Sequence, residues 1–398
     1  MPLLSLILSV HDEQAYIADC TESILGQELA DIELIAIDDA SRDHSPALLG
    51  ELAERDARVT VRHLEQRAGP GGARNAGLDL ATGDYVWFVN VTDRLTPGSL
   101  ARVGEQLAGE SPDVLVVHHV ISPVTGPPRP GPHRKALARV AKGGPGPLEQ
   151  HRVLAAAAPS AWNKVMRREL LAGLRFGTGS HSELTVTWPA LLSAERIAAL
   201  PARSYERRPR ANASPDPGSP FDVFEQLAAV LEIAGKRREL VLPSVLRQLL
   251  ALLDRVPESD RREFFHRSSE LLARHGGEAL PGRTAQLVVR DRYAAFQLLR
   301  RSLEARRSLS RRRGRLRKRA SQRAGRSRKA RLERHYRDQL RRPIEPDLAV
   351  FASYWYRGYS CNPRAIYEKA RELVPGMRGV WIVKRDAVAT LPEGVDYV

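Results

Sequence analysis

The chain has 398 residues, 42% of them hydrophobic, 27% charged, and a formal net charge of +15. That length allows two or three domains of the usual ~100–200 residues, and no apolar run approaches the ~18–20 residues of a membrane-crossing helix. The two cysteines, Cys20 and Cys361, lie too far apart for a metal or redox motif, which suits a protein of the reducing cytoplasm.

The apolar run at residues 3–10 has no basic segment before it and no small-residue cleavage site, so it reads as a buried strand and not a signal peptide. Further strands are predicted at 32–38, 59–63, 85–89 and 113–120, with helices at 14–27, 46–56, 72–80 and 98–107 between them. The first strands are continuously apolar, which implies burial on both faces and a mostly parallel sheet covered by helices. Residues 122–146, rich in Pro and Gly, read as a loop, and 148–205 as a second structured portion. A Pro/Ser/Asp-rich linker follows at 207–220, then a helical region to 299.

Charge concentrates next. Residues 300–342 carry twenty Lys or Arg against Glu304, Glu333 and Asp338, so the rest of the chain is close to neutral. This basic arm reads as a solvated helical linker, as an arm for the surface of an anionic membrane, or as a phosphate-binding arm for nucleic acid. The nucleic-acid reading is disfavoured: no nucleic-acid fold accompanies the arm, and Tyr336 is its one interleaved aromatic. A new α/β unit starts at 348–354, with a helix at 363–373 and a strand at 379–384. The sequence ends about fifty residues into it, too short to close a core, so Val398 is expected not to be a natural domain end.

Three stretches carry candidate chemistry. Asp38, Asp39, Ser41 and Asp43 lie beyond the second strand, where ligands of open α/β sheets bind. Their carboxylates suit a nucleobase or ribose, or equally the amides of a helix start. At 68–77, glycines surround Arg74, which could contact a diphosphate; an ordinary glycine-rich helix start explains this stretch equally well. At 83–93, Gly83 and Asp84 lead into a strand that ends in Asn90, Val91, Thr92 and Asp93, a place for a metal-bound diphosphate or a plain strand-to-loop transition.

Taken together, residues 3–100 resemble the N-terminal half of family 2 glycosyltransferases of the GT-A type: an opening strand, a double aspartate with a trailing Ser-x-Asp, Ala73-Arg74-Asn75-x-Gly77, then Gly83-Asp84-Tyr85. Ala161, Trp162, Asn163, Lys164, Leu174, Arg175, Phe176 and Tyr205 resemble the acceptor half. The resemblance implies a Rossmann-like GT-A domain over 1–210, followed by a helical region (211–299), the basic arm (300–345) and an incomplete α/β unit (346–398). It implies that Ser9 and His11 flank the nucleobase, Asp39 holds the base or ribose, and Arg74 approaches the diphosphate. Glu183 corresponds to the general base of inverting members. Asn90 and Thr92 stand at the two ends of the Asp-x-Asp metal motif, leaving Asp93 as the nearby anion for Mg²⁺ or Mn²⁺. In the C-terminal part, Val350, Phe351, Tyr359, Cys361, Asn362, Pro363 and Trp381 resemble the opening of CDP-glycerol glycerophosphotransferases, whose catalytic residues lie further downstream.

These resemblances imply a transferase moving sugar from a nucleotide-diphosphate donor to a glycan or lipid-linked cell-envelope acceptor of teichoic-acid or polysaccharide type. It would work on the cytoplasmic face of the plasma membrane. The altered metal motif leaves a second reading open, a degenerate GT-A domain that docks nucleotide or acceptor for a glycerophosphotransferase.

Overall fold

The computed structural model describes residues 1–398 except 30, 124, 157–159, 180, 210–218, 305–328, 336, 339–340, 342, 344, 354–355, 357–358 and 360. Most of the basic arm therefore lies outside the described residues. The chain divides into two compact units, Met1–Leu303 and Glu304–Val398.

In the first unit, β1 (Leu4–Val10), β2 (Ile32–Asp38), β3 (Val59–His63) and β4 (Tyr85–Asn90) alternate with α1 (Gln14–Leu25), α2 (Ser45–Arg55) and α3 (Gly69–Leu80). These four strands are parallel, in the order β3-β2-β1-β4. The short β5 (Arg94–Leu95) and α4 (Ser99–Glu110) come next. The sheet then becomes mixed: β6 (Val114–Ile121) runs parallel to β9 (Ile197–Arg207), while β8 (Lys164–Arg167) is antiparallel to both β4 and β6. β5 closes the far edge against β9.

Alternation along the strands separates two cores. Leu4, Leu6, Leu8 and Trp87 pack on one face of the sheet, and Ile7, Ile35, Ile37, Val86 and Phe88 on the other. Both faces are buried, which is why β1 is apolar apart from Ser5 and Ser9. α3 lies close against β1 and β2, and Gly77 makes that approach possible: a Cβ there would fall 2.4 Å from Ile7 Cγ2.

The span 122–146 is more ordered than a loop. It contains β7 (Arg129–Pro130), paired with β6, and α5 (Arg134–Gly143), which buries Leu137 and Val140. The Pro and Gly residues there flank these elements, and two apolar anchors suffice to dock a basic helix. α3 begins at Gly69, three residues earlier than its spacing indicates, with Pro70 in its first turn.

α6 (Leu184–Ser193) follows residue 183, and α7 (Val223–Ala234), α8 (Arg238–Leu253), α9 (Arg261–Arg274) and α10 (Arg283–Val289) make up the helical region. Their apolar residues join the same core as Ile7, Val86 and Phe88, so this region packs as part of the first unit. In the second unit, β10 (Leu348–Phe351), β11 (Arg378–Trp381) and β12 (Asp396–Tyr397) form a parallel three-stranded sheet with a helix at Cys361–Leu373. Tyr367, Trp381 and Val395 form its small core. Among the described residues, no helix is long and apolar enough to cross a membrane.

Candidate functional site

Two openings lie beyond the carboxyl ends of the parallel strands. The first, lined by His11, Asp38, Ser41, Arg42, His63 and Arg67, sits over β1, β2 and β3. Its walls are fixed by local hydrogen bonds. The backbone turns left-handed at Asp12 and Ala40, with φ of 52° and 54°. Ser41 Oγ accepts from the Asp12 amide, and Asp12 Oδ1 accepts from that of Arg42. Asp43 accepts from the Gln14 and Ser45 amides, so this acid of the Ser-x-Asp motif secures both the loop before α1 and the start of α2.

The two aspartates divide the work. Asp38, which lines the opening, accepts from the Ser41 amide through Oδ1, and its Oδ2 lies 3.0 Å from His63 Nδ1. Asp39, just past the end of β2, is buried, its Oδ1 accepting from the Ala68 amide at 2.6 Å. That bond ties the end of β2 to the residue before α3. His11 Nδ1 is 2.7 Å from the Asp39 carbonyl oxygen. Ser9 stands in register between Ile37 of β2 and Asn90 of β4.

The second opening is a cavity of about 650 Å³, lined by Arg74, Asn90, Trp162, Glu183, Arg207 and Arg247 among others. Arg74 reaches it from α3. Its Nη2 donates to Asn90 Oδ1 at 3.1 Å and lies 3.0 Å from Glu183 Oε1, while its guanidinium sits over the Phe176 ring. Glu183, immediately before α6, also accepts from the Ala161 amide through Oε2 at 2.9 Å. Its side chain retains 21% exposure, so it faces the cavity while being held from two sides. Nearby, Lys164 is completely buried, its Nζ donating to the Ser160 carbonyl and to Asn163 Oδ1. Burial pulls its pKa down to about 7, against the opposing pull of Glu183.

The turn after β4 is closed on itself. Asp93, 2% exposed, accepts from the Arg208 amide through Oδ1 and from Asn90 Nδ2 and the Tyr205 hydroxyl through Oδ2. Burial pushes its carboxyl above the ordinary carboxylate range, against the donors around it. Arg208 adds a bond to the Thr92 carbonyl and pairs with Asp19 of α1. Tyr205 stacks on Trp162 with centroids 5.0 Å apart, and the Trp87 indole donates to the Trp162 carbonyl.

The metal expectation meets a plain obstacle here. Asn90 uses both atoms of its amide, toward Arg74 and Asp93, and both oxygens of Asp93 are occupied by internal donors. Among the described residues there is no group of three or more His, Cys, Asp or Glu able to hold a metal ion. Thr92 and Asp93 offer no ligand set for Mg²⁺ or Mn²⁺, which want several oxygens, preferably carboxylate.

The structure thus brings Arg74, Asn90 and Glu183 together at one cavity, with Asp39, His11 and Ser9 along the neighbouring strand ends. Arg247 and Arg255, which also line the cavity, belong to or follow α8 and were not singled out from the sequence. A signal existed: Ser244, Arg247, Gln248, Ala251 and Arg255 recur at helical spacing and form one stripe on a helix otherwise rich in leucine.

A parallel sheet with carboxylate and arginine gathered past its strand ends, continued by a mixed half, is the GT-A glycosyltransferase fold. Residues 5–174 match the family described as glycosyl transferase family 2. Residues 334–398 match the family of CDP-glycerol:poly(glycerophosphate) glycerophosphotransferases. The first unit is similar in fold to S. aureus TarS 1–349, solved in complex with UDP-GlcNAc, with a TM-score of 0.63 and 18% identity over 76% of this chain and 92% of that one. Among sequences, the uncharacterized glycosyltransferase EpsJ of Bacillus subtilis is 33% identical over 115 residues, 29% of this chain and 33% of the relative. The succinoglycan biosynthesis protein ExoO of Rhizobium meliloti is 32% identical over 122 residues, 29% of this chain and 34% of the relative. The chain spans about a third of the length of these curated relatives.

Proposed function

We propose that this chain is an inverting glycosyltransferase that moves a sugar from a nucleotide-diphosphate donor to a cell-envelope acceptor of teichoic-acid or polysaccharide type. The observation that carries the reading is the placement of Glu183 at the same cavity as Arg74, with Asp39 just past the end of β2. The nucleoside occupies the β1–β3 opening, flanked by Ser9 and His11, with Asp39 accepting from base or ribose. Its diphosphate extends toward Arg74, which places the sugar against Glu183.

In the reaction, Glu183 takes the proton of an acceptor hydroxyl as that oxygen attacks the anomeric carbon. The bond from that carbon to the diphosphate breaks on the opposite face, and the configuration inverts. The fold relative TarS binds UDP-GlcNAc, which makes UDP-sugars the first donors to assay. The glycerophosphotransferase match at 334–398 and the relation to polysaccharide-biosynthesis proteins favour an envelope polymer as acceptor. The basic residues of 300–342 suit attraction to an anionic membrane face, beside a lipid-linked acceptor.

The test is transfer of labelled sugar from a panel of UDP-, CDP- and GDP-sugars to wall polymer or lipid-linked glycan, wild type beside Glu183→Gln. Transfer by the wild type that the variant lacks supports the reading. The altered metal motif favours a second reading, a docking domain, which predicts nucleotide or acceptor binding with no transfer by either protein.

A further inference from the structure

We propose that the donor's diphosphate is neutralised in this site by arginine side chains, without a divalent cation. The inference rests on the reading of the site as a nucleotide-diphosphate-sugar site, and concerns what replaces the ion.

Two observations carry it. The first is the closed turn after β4. A cation there would need carboxylate oxygens facing the cavity, but both oxygens of Asp93 are committed to Tyr205, Asn90 and the Arg208 amide. Freeing them would take the acceptor from the buried Tyr205 hydroxyl and from the part-buried Asn90 amide and Arg208 N–H. The side chain is also 2% exposed and is not among those that line the cavity.

The second is the sign of the cavity wall. Arg74, Arg207, Arg247 and Arg255 line it, and Glu183 is the one carboxylate among the described lining residues. Glu183 is itself paired with Arg74, so the wall carries a cationic excess. The arginines arrive from three directions: Arg74 from α3, Arg207 from the end of β9, and Arg247 and Arg255 from α8 and the residues after it. Arg207 is propped over the Trp162 ring, 5.7 Å from its centroid. Guanidinium groups offer forked donors matched to phosphate oxygens and stay charged at any working pH. Such a set supplies what a bound Mg²⁺ or Mn²⁺ would supply to a diphosphate, positive charge and directed contacts to its oxygens. The leaving nucleoside diphosphate is then stabilised by the same side chains that bind it.

The experiment measures equilibrium binding of UDP, CDP and GDP to the full chain, in EDTA and again with Mn²⁺. The proteins are the wild type, Arg207→Gln and the double variant Arg247→Gln/Arg255→Gln. Because the substituted side chains are exposed, the variants should fold, and far-ultraviolet circular dichroism checks that. The expected result is that one nucleotide binds as well in EDTA as in Mn²⁺, and that the arginine variants weaken its binding about tenfold or more in EDTA. Binding that requires Mn²⁺ overturns the inference and leaves the nucleotide-sugar reading standing. Metal-independent binding that the variants leave unchanged overturns the assignment to these arginines. Failure of all three nucleotides to bind in either condition removes the donor-site reading, and the inference with it.

Discussion

Arg74 Nη2 lies 3.0 Å from Glu183 Oε1, so a side chain of α3 and the residue before α6 are joined across the cavity by one ion pair. The same nitrogen donates to Asn90 Oδ1 at the end of β4. Three segments far apart in sequence therefore meet at a single guanidinium. An arriving diphosphate competes with Glu183 for that group, so donor binding is expected to loosen the carboxylate as it enters the site.

Glu183→Gln keeps the acceptor oxygen for the Ala161 amide but removes the base. The expected outcome is a loss of transfer of roughly 10²–10⁴-fold, the usual contribution of a positioned acid–base group, with nucleotide affinity equal or higher because Glu183 no longer competes for Arg74. Initial rates and a parallel binding titration check it. A variant that binds and also turns over normally would show that Glu183 is not the base.

Gly77→Ala is expected to destabilise the protein by ~1–3 kcal/mol, the cost of overpacking a close helix–strand contact, because the new methyl would meet Ile7 Cγ2 at 2.4 Å. Gly50, in the middle of α2, has nothing within 4 Å of such a methyl. Gly50→Ala should therefore stabilise by about 0.5–1 kcal/mol. Urea midpoints of the two variants, moving in opposite directions, check both the packing of α3 and the openness of α2.

Lys164 carries a pH signature. Its pKa falls from 10.5 to about 7 on burial, so between these values the unfolded chain holds a proton that the folded protein has released. Stability therefore rises with pH across that window through this group, by up to about 1.4 kcal/mol per pH unit. Below about 7 the fold carries a buried charge that its acceptors on Ser160 and Asn163 only partly compensate. Lys164→Met should lack this dependence, so the stability of the wild type relative to the variant is expected to rise from pH 7 toward 10.5. Urea midpoints of both proteins at pH 6 and pH 9 test this; a difference that stays constant would contradict it.

Much of this arrangement was legible in the sequence, for identifiable reasons. The mainly apolar residues of β1, β2 and β4 mark strands buried on both faces, and the positions of Asp39 and Arg74 follow from strand ends and a helix start. What escaped depended on tertiary neighbours. Asp93 looks like a free anion in the sequence, yet Tyr205 and Arg208, more than a hundred residues away, close over it. The docking of α5 rests on Leu137 and Val140, two residues among many prolines and glycines. Arg247 and Arg255 become site residues only because the helical region shares the core under the sheet.

The central claim, a nucleotide-diphosphate donor site past β1, β2 and α3, is tested most directly by calorimetric titration of the full chain with UDP, CDP and GDP, beside Asp39→Ala. The account expects one of the three to bind the wild type and to bind the folded variant at least roughly tenfold more weakly, as a lost charge-assisted hydrogen bond would produce. Binding of none of them, or equal binding by the variant, would contradict it.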